Sequence, residues 1–173
     1  MSVQMWAPSE TAIKRSQMTK FRLYVNDRYH LSLDNYHDLY AWSIRDIPEF
    51  WESVWDFCGI ISSRRFDSVV DDISKMPGAR WFTGARLNFA ENLLRFRDEK
   101  PALVLKGEGQ PPRALTFAEL FGEVSKVAYA LKREGVVEGD RVAGFMPNVP
   151  ETVIAMLAAT SLGAIWSSSS PDF

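Results

Sequence analysis

Cysteine is almost missing from this chain. Cys58 is the single one in 173 residues, so no disulfide can form within the chain. That is the usage of a reducing compartment, and a cytoplasmic location is the expectation. Histidine is scarce too, with two residues. His30 and His37 lie seven apart near Asp27, Asp34 and Asp38. This spacing does not bring ligands together as a metal site requires, so solvated surface histidines and no metal are expected.

Excess charge of either sign is also lacking. Twenty basic residues against 22 acidic ones leave a net charge of −2, which gives no electrostatic footprint for nucleic acid or an anionic membrane. The longest apolar run, between Val153 and Trp166, is interrupted by Thr160, Ser161 and Gly163. It is shorter than the roughly 20 residues that a bilayer requires. The opening MSVQMWAPSE has neither the charged nor the apolar region of a secretory signal. G-x-S-x-G, H-E-x-x-H and G-x-G-x-x-G do not occur.

What the chain does have is apolar residues, 46% of the total, and aromatics, with 11 phenylalanines and six tryptophans. This is ordinary globular composition with room for a hydrophobic core. The aromatics concentrate in the first half, where packing is their expected use. Cys58, with hydrophobic neighbours, is expected in the core as well.

Two stretches differ in texture, residues 1–97 and residues 98–173. The first reads as aromatic and mostly helical. Ile13, Phe21, Tyr24 and Val25 suggest one loosely amphipathic helix after Pro8-Ser9. Asp46, Pro48 and Glu49 suggest a capped start for another, with Phe50, Val54, Phe57 and Cys58 on one face and Gly59 as its stop. Asn88 opens a third, whose apolar set is Leu93, Leu94 and Phe96.

The second stretch alternates strands and helices. Ala102–Leu105 and Arg113–Leu115 flank a glycine- and proline-rich loop and predict a β-hairpin. Thr116 and Glu119 form a capping-box pattern. Behind them Phe117, Leu120, Phe121, Val124, Val127, Ala128 and Leu131 keep helical spacing up to Gly135. A strand over Arg141–Met146, a buried helix over Thr152–Leu162 capped by Asn148, and a strand entered at Ala164 make a βαβ unit. Its strands must be parallel and its crossover right-handed.

The four serines Ser167–Ser170 fall at the carboxyl end of that last strand, where open α/β sheets place ligands. As a phosphate loop the run fails, because it has no glycine, no lysine follows, and Pro171 removes an N–H. The residues alone leave three readings open. They are the start of a larger enzyme, a stand-alone interaction module, and a small nucleotide-binding domain using the serine tip.

Several segments resemble the AMP-forming acyl-CoA synthetases, and among them the acetoacetyl branch, with the acetyl branch as the alternative. They are Trp6-Ala7-Pro8-Ser9, Phe50-Trp51, Val54–Gly59, Trp81-Phe82 and Gly84–Leu94, then Gly139–Ala143, Met146–Asn148, Pro150-Glu151 and Gly163–Trp166. The stretch Asn88–Leu94 and the ending from Trp166 to Phe173 are the more specific. The resemblance implies an α/β fold: the start of the family's large N-terminal domain, a parallel βαβ sheet preceded by an aromatic-rich helical segment that wraps it.

It also implies a two-step reaction of an acid, ATP and CoA, through an acyl-adenylate, to acyl-CoA, AMP and pyrophosphate. ATP, Mg2+ and CoA are the cofactors of the complete enzyme, and none is expected to bind tightly to this portion. The family's phosphate loop and catalytic lysine lie downstream of Phe173, so no catalytic residue is assigned here and the chain alone is expected to be inactive. Aligning Gly163-Ala164-Ile165 with the family's strand places Ser170, Pro171 and Asp172 close to the nucleotide part of CoA. The acetyl branch has glycines at that point. The expected partners are the remainder of the synthetase, if separately encoded, or a second copy through an exposed sheet edge.

Overall fold

The computed structural model describes residues 5–109 and 111–171. They form two compact units, one containing the chain up to Ile60 with Phe66–Gly84, the other Ile61–Arg65 with the chain from Ala85 onward.

The first unit is built from four helices and a short antiparallel pair. The helices are α1 (Glu10–Arg15), α2 (Gln17–Tyr29), α3 (Tyr36–Arg45) and α4 (Ile47–Phe57), and the strands are β1 (Ser68–Val70) and β2 (Trp81–Thr83). Where one helix is expected after Ser9, two occur. Ser9 Oγ accepts from the Ala12 N–H at 3.2 Å, and Ser16 Oγ accepts from the Thr19 N–H at 3.1 Å. Ser16 is extended, so the second cap breaks the helix that the first one starts. Asn35 and Asp38 make a full capping box at the head of α3.

Phe21, Val25, Leu39 and Trp42 are the buried centre, with Phe50, Val54 and Phe57 of α4 packed against them. Rings meet edge to face, Phe57 against Phe21 at 5.2 Å and Phe50 against Trp42 at 6.0 Å. Trp55, Phe66 and Phe82 form a second triangle of rings, which joins α4 to β1 and β2.

Three further expectations for this unit need correction. Cys58 is exposed, because α4 ends at Phe57 and Gly59, at φ 59°, turns the chain away. Asp46 sits at the head of α4 without a side-chain cap bond, since its carboxylate accepts from the Arg45 guanidinium at 2.6 Å. Aromatic residues are not all core either: Trp51 and Trp81 keep more than two-fifths of their surface exposed. His30 and His37 are exposed as expected, and Asp38 serves the α3 cap.

The second unit contains α5 (Phe89–Leu93), the antiparallel strands β3 (Pro101–Leu105) and β4 (Arg113–Thr116), and α6 (Phe117–Arg133). It continues with β5 (Arg141–Phe145), α7 (Pro150–Ser161) and β6 (Ile165–Ser169). β5 and β6 pair in parallel, as the βαβ reading requires, with Arg141 opposite Ile165 and Phe145 opposite Ser169. The hairpin falls where the sequence places it. Of its loop, Gln110 lies outside the described residues.

Ala90, Leu94, Leu120, Val124, Ile154, Leu157 and Ala158 form the buried core, drawn from α5, α6 and α7. Leu94 is inside, whereas Leu93 and Phe96, expected beside it, are exposed. The helix is one turn and a half long, so only the residues one turn apart, Ala90 and Leu94, share the inner face. Two asparagines fasten α5. Asn88 Oδ1 accepts from the Glu91 N–H, and its Nδ2 donates to the Thr160 carbonyl at 2.9 Å. Asn92 grips the backbone of Ile61 from both sides, each bond 2.9 Å.

At the head of α6 the Thr116 hydroxyl accepts from the Glu119 N–H at 3.1 Å, and the Glu119 carboxylate accepts from the Thr116 N–H at 2.8 Å. Replacing Thr116 by alanine removes both the oxygen and the reciprocal geometry. It should cost about 0.5–2 kcal/mol, read as a lower urea midpoint. Asn148, expected to cap α7, does not. Val149 holds the cap position without a side-chain bond, and Pro150, which has no N–H to satisfy, takes the first turn.

Several carboxylates among the described residues are held below their ordinary range. A hydrogen bond from Lys75, followed by the Arg80 N–H, brings Asp71 down to about 2. Ser74 lowers Asp72, Lys100 lowers Asp98, the Thr116 N–H lowers Glu119, and the Arg113 guanidinium lowers Glu151. Each depressed group stabilises the fold above its unfolded value and loses that contribution as pH falls through its folded value. The melting temperature should therefore fall progressively below about pH 4.5 and continue falling toward pH 2, the Asp71 limit. Asp71→Asn should flatten the lowest part of that curve.

Candidate functional site

The carboxyl ends of β5 and β6 lie side by side, held by the Met146 N–H donating to the Ser169 carbonyl at 3.1 Å. This is where an open parallel sheet presents its loops to a ligand. Pro147 and Asn148 leave β5 at this end, and Ser170 and Pro171 leave β6. The Thr152 hydroxyl donates to the Pro147 carbonyl at 2.6 Å and so fixes the turn into α7.

The serine run is strand as far as Ser169. Side chains on a strand alternate between faces, so Ser167 and Ser169 point to one side and Ser168 to the other. Successive N–H groups in a parallel ladder are also directed apart rather than toward one centre. This geometry gives the physical reason why the run is no phosphate cradle. Of the three residues placed near CoA by resemblance, Ser170 is half-buried and Pro171 exposed, directly after β6. Asp172 lies outside the described residues.

One close approach shapes this end of the sheet. A Cβ on Gly144 would lie 2.6 Å from Cη2 and 2.9 Å from Cζ2 of the Trp166 indole. The ring occupies the space that a side chain on β5 would need. Gly144→Ala should thus cost about 1–3 kcal/mol through overpacking. Removing the ring as well should make the double variant Gly144→Ala/Trp166→Ala less destabilised than the sum of its parts, as thermal denaturation can measure.

Two features of the site have no signature in the local sequence. The Arg113 guanidinium of β4 donates to the Glu151 carboxylate in the first turn of α7, 38 residues on. This bond holds Glu151 below the usual carboxylate range. A cleft of about 290 Å3 beside the tip of β5 is lined by Leu105, Lys106, Asn148, Pro150 and Val153, among others. Both depend on the hairpin lying next to α7, a tertiary fact that no spacing announces.

Among the described residues no three His, Cys, Asp or Glu side chains are grouped so as to hold a metal ion. Among the same residues, no helix is long and apolar enough to cross a membrane.

Comparison with known proteins matches residues 36–93 to the acetyl-coenzyme A synthetase N-terminus family. Residues 89–173 match the AMP-binding enzyme family. The chain is 48% identical to the acetoacetyl-CoA synthetase of Xenopus tropicalis over 98% of its own length and 25% of that protein. It is 43% identical to the acetoacetyl-coenzyme A synthetase of Rhizobium meliloti, over 98% of this chain and 26% of that one. It is also 42% identical to a malonamoyl-CoA synthetase of Penicillium aethiopicum, over 94% of this chain and 23% of that one. The solved acetoacetyl-CoA synthetase from Streptomyces lividans superposes with a TM-score of 0.86 and 36% identity, over 97% of this chain and 26% of that chain. The chain thus spans about a quarter of the length of the curated relatives it matches.

Proposed function

Since the chain belongs to the family of AMP-forming acyl-CoA synthetases, we propose that it is the N-terminal part of an acid–thiol ligase of the acetoacetyl-CoA synthetase kind. The complete enzyme would join an acid to CoA at the expense of ATP, releasing AMP and pyrophosphate. The observation that carries this reading is similarity over 98% of the chain, at 48% identity, to one end-to-end quarter of such synthetases.

Within that enzyme this portion supplies scaffold rather than chemistry. The adenylation step needs positive charge and N–H groups around the α-phosphate as negative charge develops there. In the described residues the strand tips provide serines on alternating faces instead, and Lys106 and Arg113 stand on the hairpin. ATP, Mg2+ and CoA would be held chiefly by the remainder of the synthetase. Ser170, Pro171 and Asp172 remain our assignment for the residues nearest CoA, supported by their position after β6.

For the acyl substrate the relatives support a class. This quarter is similar at 43% and 42% to an acetoacetyl and a malonamoyl enzyme, so it carries little to separate the two. Both acids are short and bear a second carbonyl β to the carboxylate, and that is the class we assign.

A chimera tests the reading. This chain would replace the matched quarter of the Streptomyces lividans synthetase. It should release pyrophosphate with ATP, Mg2+, CoA and acetoacetate, and its preference among short acids should follow the S. lividans portion. A folded chimera without turnover would contradict the proposal.

A further inference from the structure

We propose that the cleft between the α1–α2 junction and the head of α3 binds a free α-amino acid with an apolar side chain. The inference goes beyond the function proposed above and uses no part of it. The cleft holds about 390 Å3, within the range of about 300–1,000 Å3 usual for small-molecule sites. Ile13, Met18, Tyr36 and Leu39 supply apolar walls, and Leu39 is the buried one. A hydrocarbon side chain fits such walls.

Two opposite charges stand in this cleft without pairing. Arg22 is half-buried and Asp34 is exposed. The Arg22 guanidinium donates to the Leu33 carbonyl, its one polar contact among the described residues, and so is held one residue from Asp34. Among the same residues the Asp34 carboxylate accepts no hydrogen bond and joins no ion pair. The other polar groups at the cleft are already occupied. The Ser16 and Thr19 hydroxyls donate to the Ile13 carbonyl at 2.8 and 2.7 Å. Asp38 is committed to the α3 cap, where it accepts from the Asp34 and Asn35 N–H groups at 3.0 and 3.3 Å.

A guanidinium with a single carbonyl partner keeps N–H groups for a carboxylate, which its planar fork meets with parallel bonds. The neighbouring Asp34 carboxylate is an acceptor for an ammonium group. Together they match the two charges of an amino acid. They also reject simpler ligands, since a fatty acid would meet Asp34 as a like charge and an alkyl amine would meet Arg22.

The test uses L-leucine with two relatives of the same skeleton, isocaproate without the ammonium and isoamylamine without the carboxylate. Each is titrated into the isotopically labelled chain and followed by amide chemical shifts. Calorimetry on the S. lividans chimera repeats the titrations and decides where the chain alone does not stay dispersed. Leucine should shift the Arg22, Asp34 and Leu39 amides saturably, and the two relatives should bind at least about tenfold more weakly. Asp34→Asn, an exposed change that leaves the α3 cap in place, should weaken leucine about tenfold and strengthen isocaproate, because the repulsion leaves with the charge. Arg22→Gln, which keeps a donor for the Leu33 carbonyl, should weaken leucine and isocaproate alike.

No saturable response to leucine in the folded chain or the chimera would overturn the inference. Isocaproate binding as tightly as leucine would overturn it too and assign the cleft to a fatty acid. So would leucine binding that Asp34→Asn leaves unchanged. The readout is binding rather than pyrophosphate release, so each reading can fail alone. An active chimera that ignores leucine overturns this inference, and an inactive one that binds it overturns the proposed function.

Discussion

Leu157→Ala should lower the stability of the second unit by about 2–5 kcal/mol, the cost of deleting buried methylene groups plus that of the cavity they leave. Leu157 is 2% exposed and sits among Leu120, Val124 and Ile154, where α6 and α7 face each other. Helices pressed together on that scale have little room to collapse into the void. Leu93→Ala makes the same chemical change at a residue 46% exposed and should change stability by no more than about 0.5 kcal/mol, read as a small shift of the urea midpoint. Net stabilities of single domains are about 5–15 kcal/mol, so the first variant removes a large share and the second almost none. Similar shifts for the two leucines would mean that the core described here is misplaced.

The contrast between those leucines also shows where sequence reasoning succeeds. The seven apolar positions from Phe117 to Leu131 keep helical spacing for four turns, and a pattern that long has one reading. α6 runs over Phe117–Arg133 with its capping box in place. The βαβ unit is legible because a helix of three turns with short connections on either side joins its two strands, and such a crossover pairs them in parallel. In α5, five residues long, the period is too short to separate Leu93 from Leu94.

Other features were decided by competition between neighbours. Ser16 caps a second helix where apolar spacing suggested a single one, because its hydroxyl satisfies the Thr19 N–H. Asp46 is a suitable cap by type, yet the adjacent Arg45 takes its carboxylate. Asn148 precedes Glu151 by three residues, the spacing of a capping box, but the chain enters α7 through Val149 and Pro150. β1 and β2, three residues each, have no period to detect and are held by the rings of Trp55, Phe66 and Phe82. At the candidate site the strand tips could be located from sequence. The Arg113–Glu151 bond could not, because its partners meet only when the hairpin packs beside α7.

The largest effect of all is expected in the chemistry. Adenylation develops negative charge on the oxygens around the α-phosphorus and on the leaving pyrophosphate, and enzymes lower that barrier with donors and a metal ion fixed around them, typically worth several kcal/mol per element. The strand tips of this portion direct their N–H groups apart, and the family's synthetases are about four times its length. The chain should therefore be silent by itself and competent when joined to the rest. Pyrophosphate release measures this directly, with ATP, Mg2+, CoA and acetoacetate supplied to the isolated chain and, in parallel, to the chain together with the separately produced remainder of the S. lividans synthetase. The account predicts background release from the first and acetoacetyl-CoA formed in step with pyrophosphate from the second. Sustained turnover by the isolated chain would contradict it.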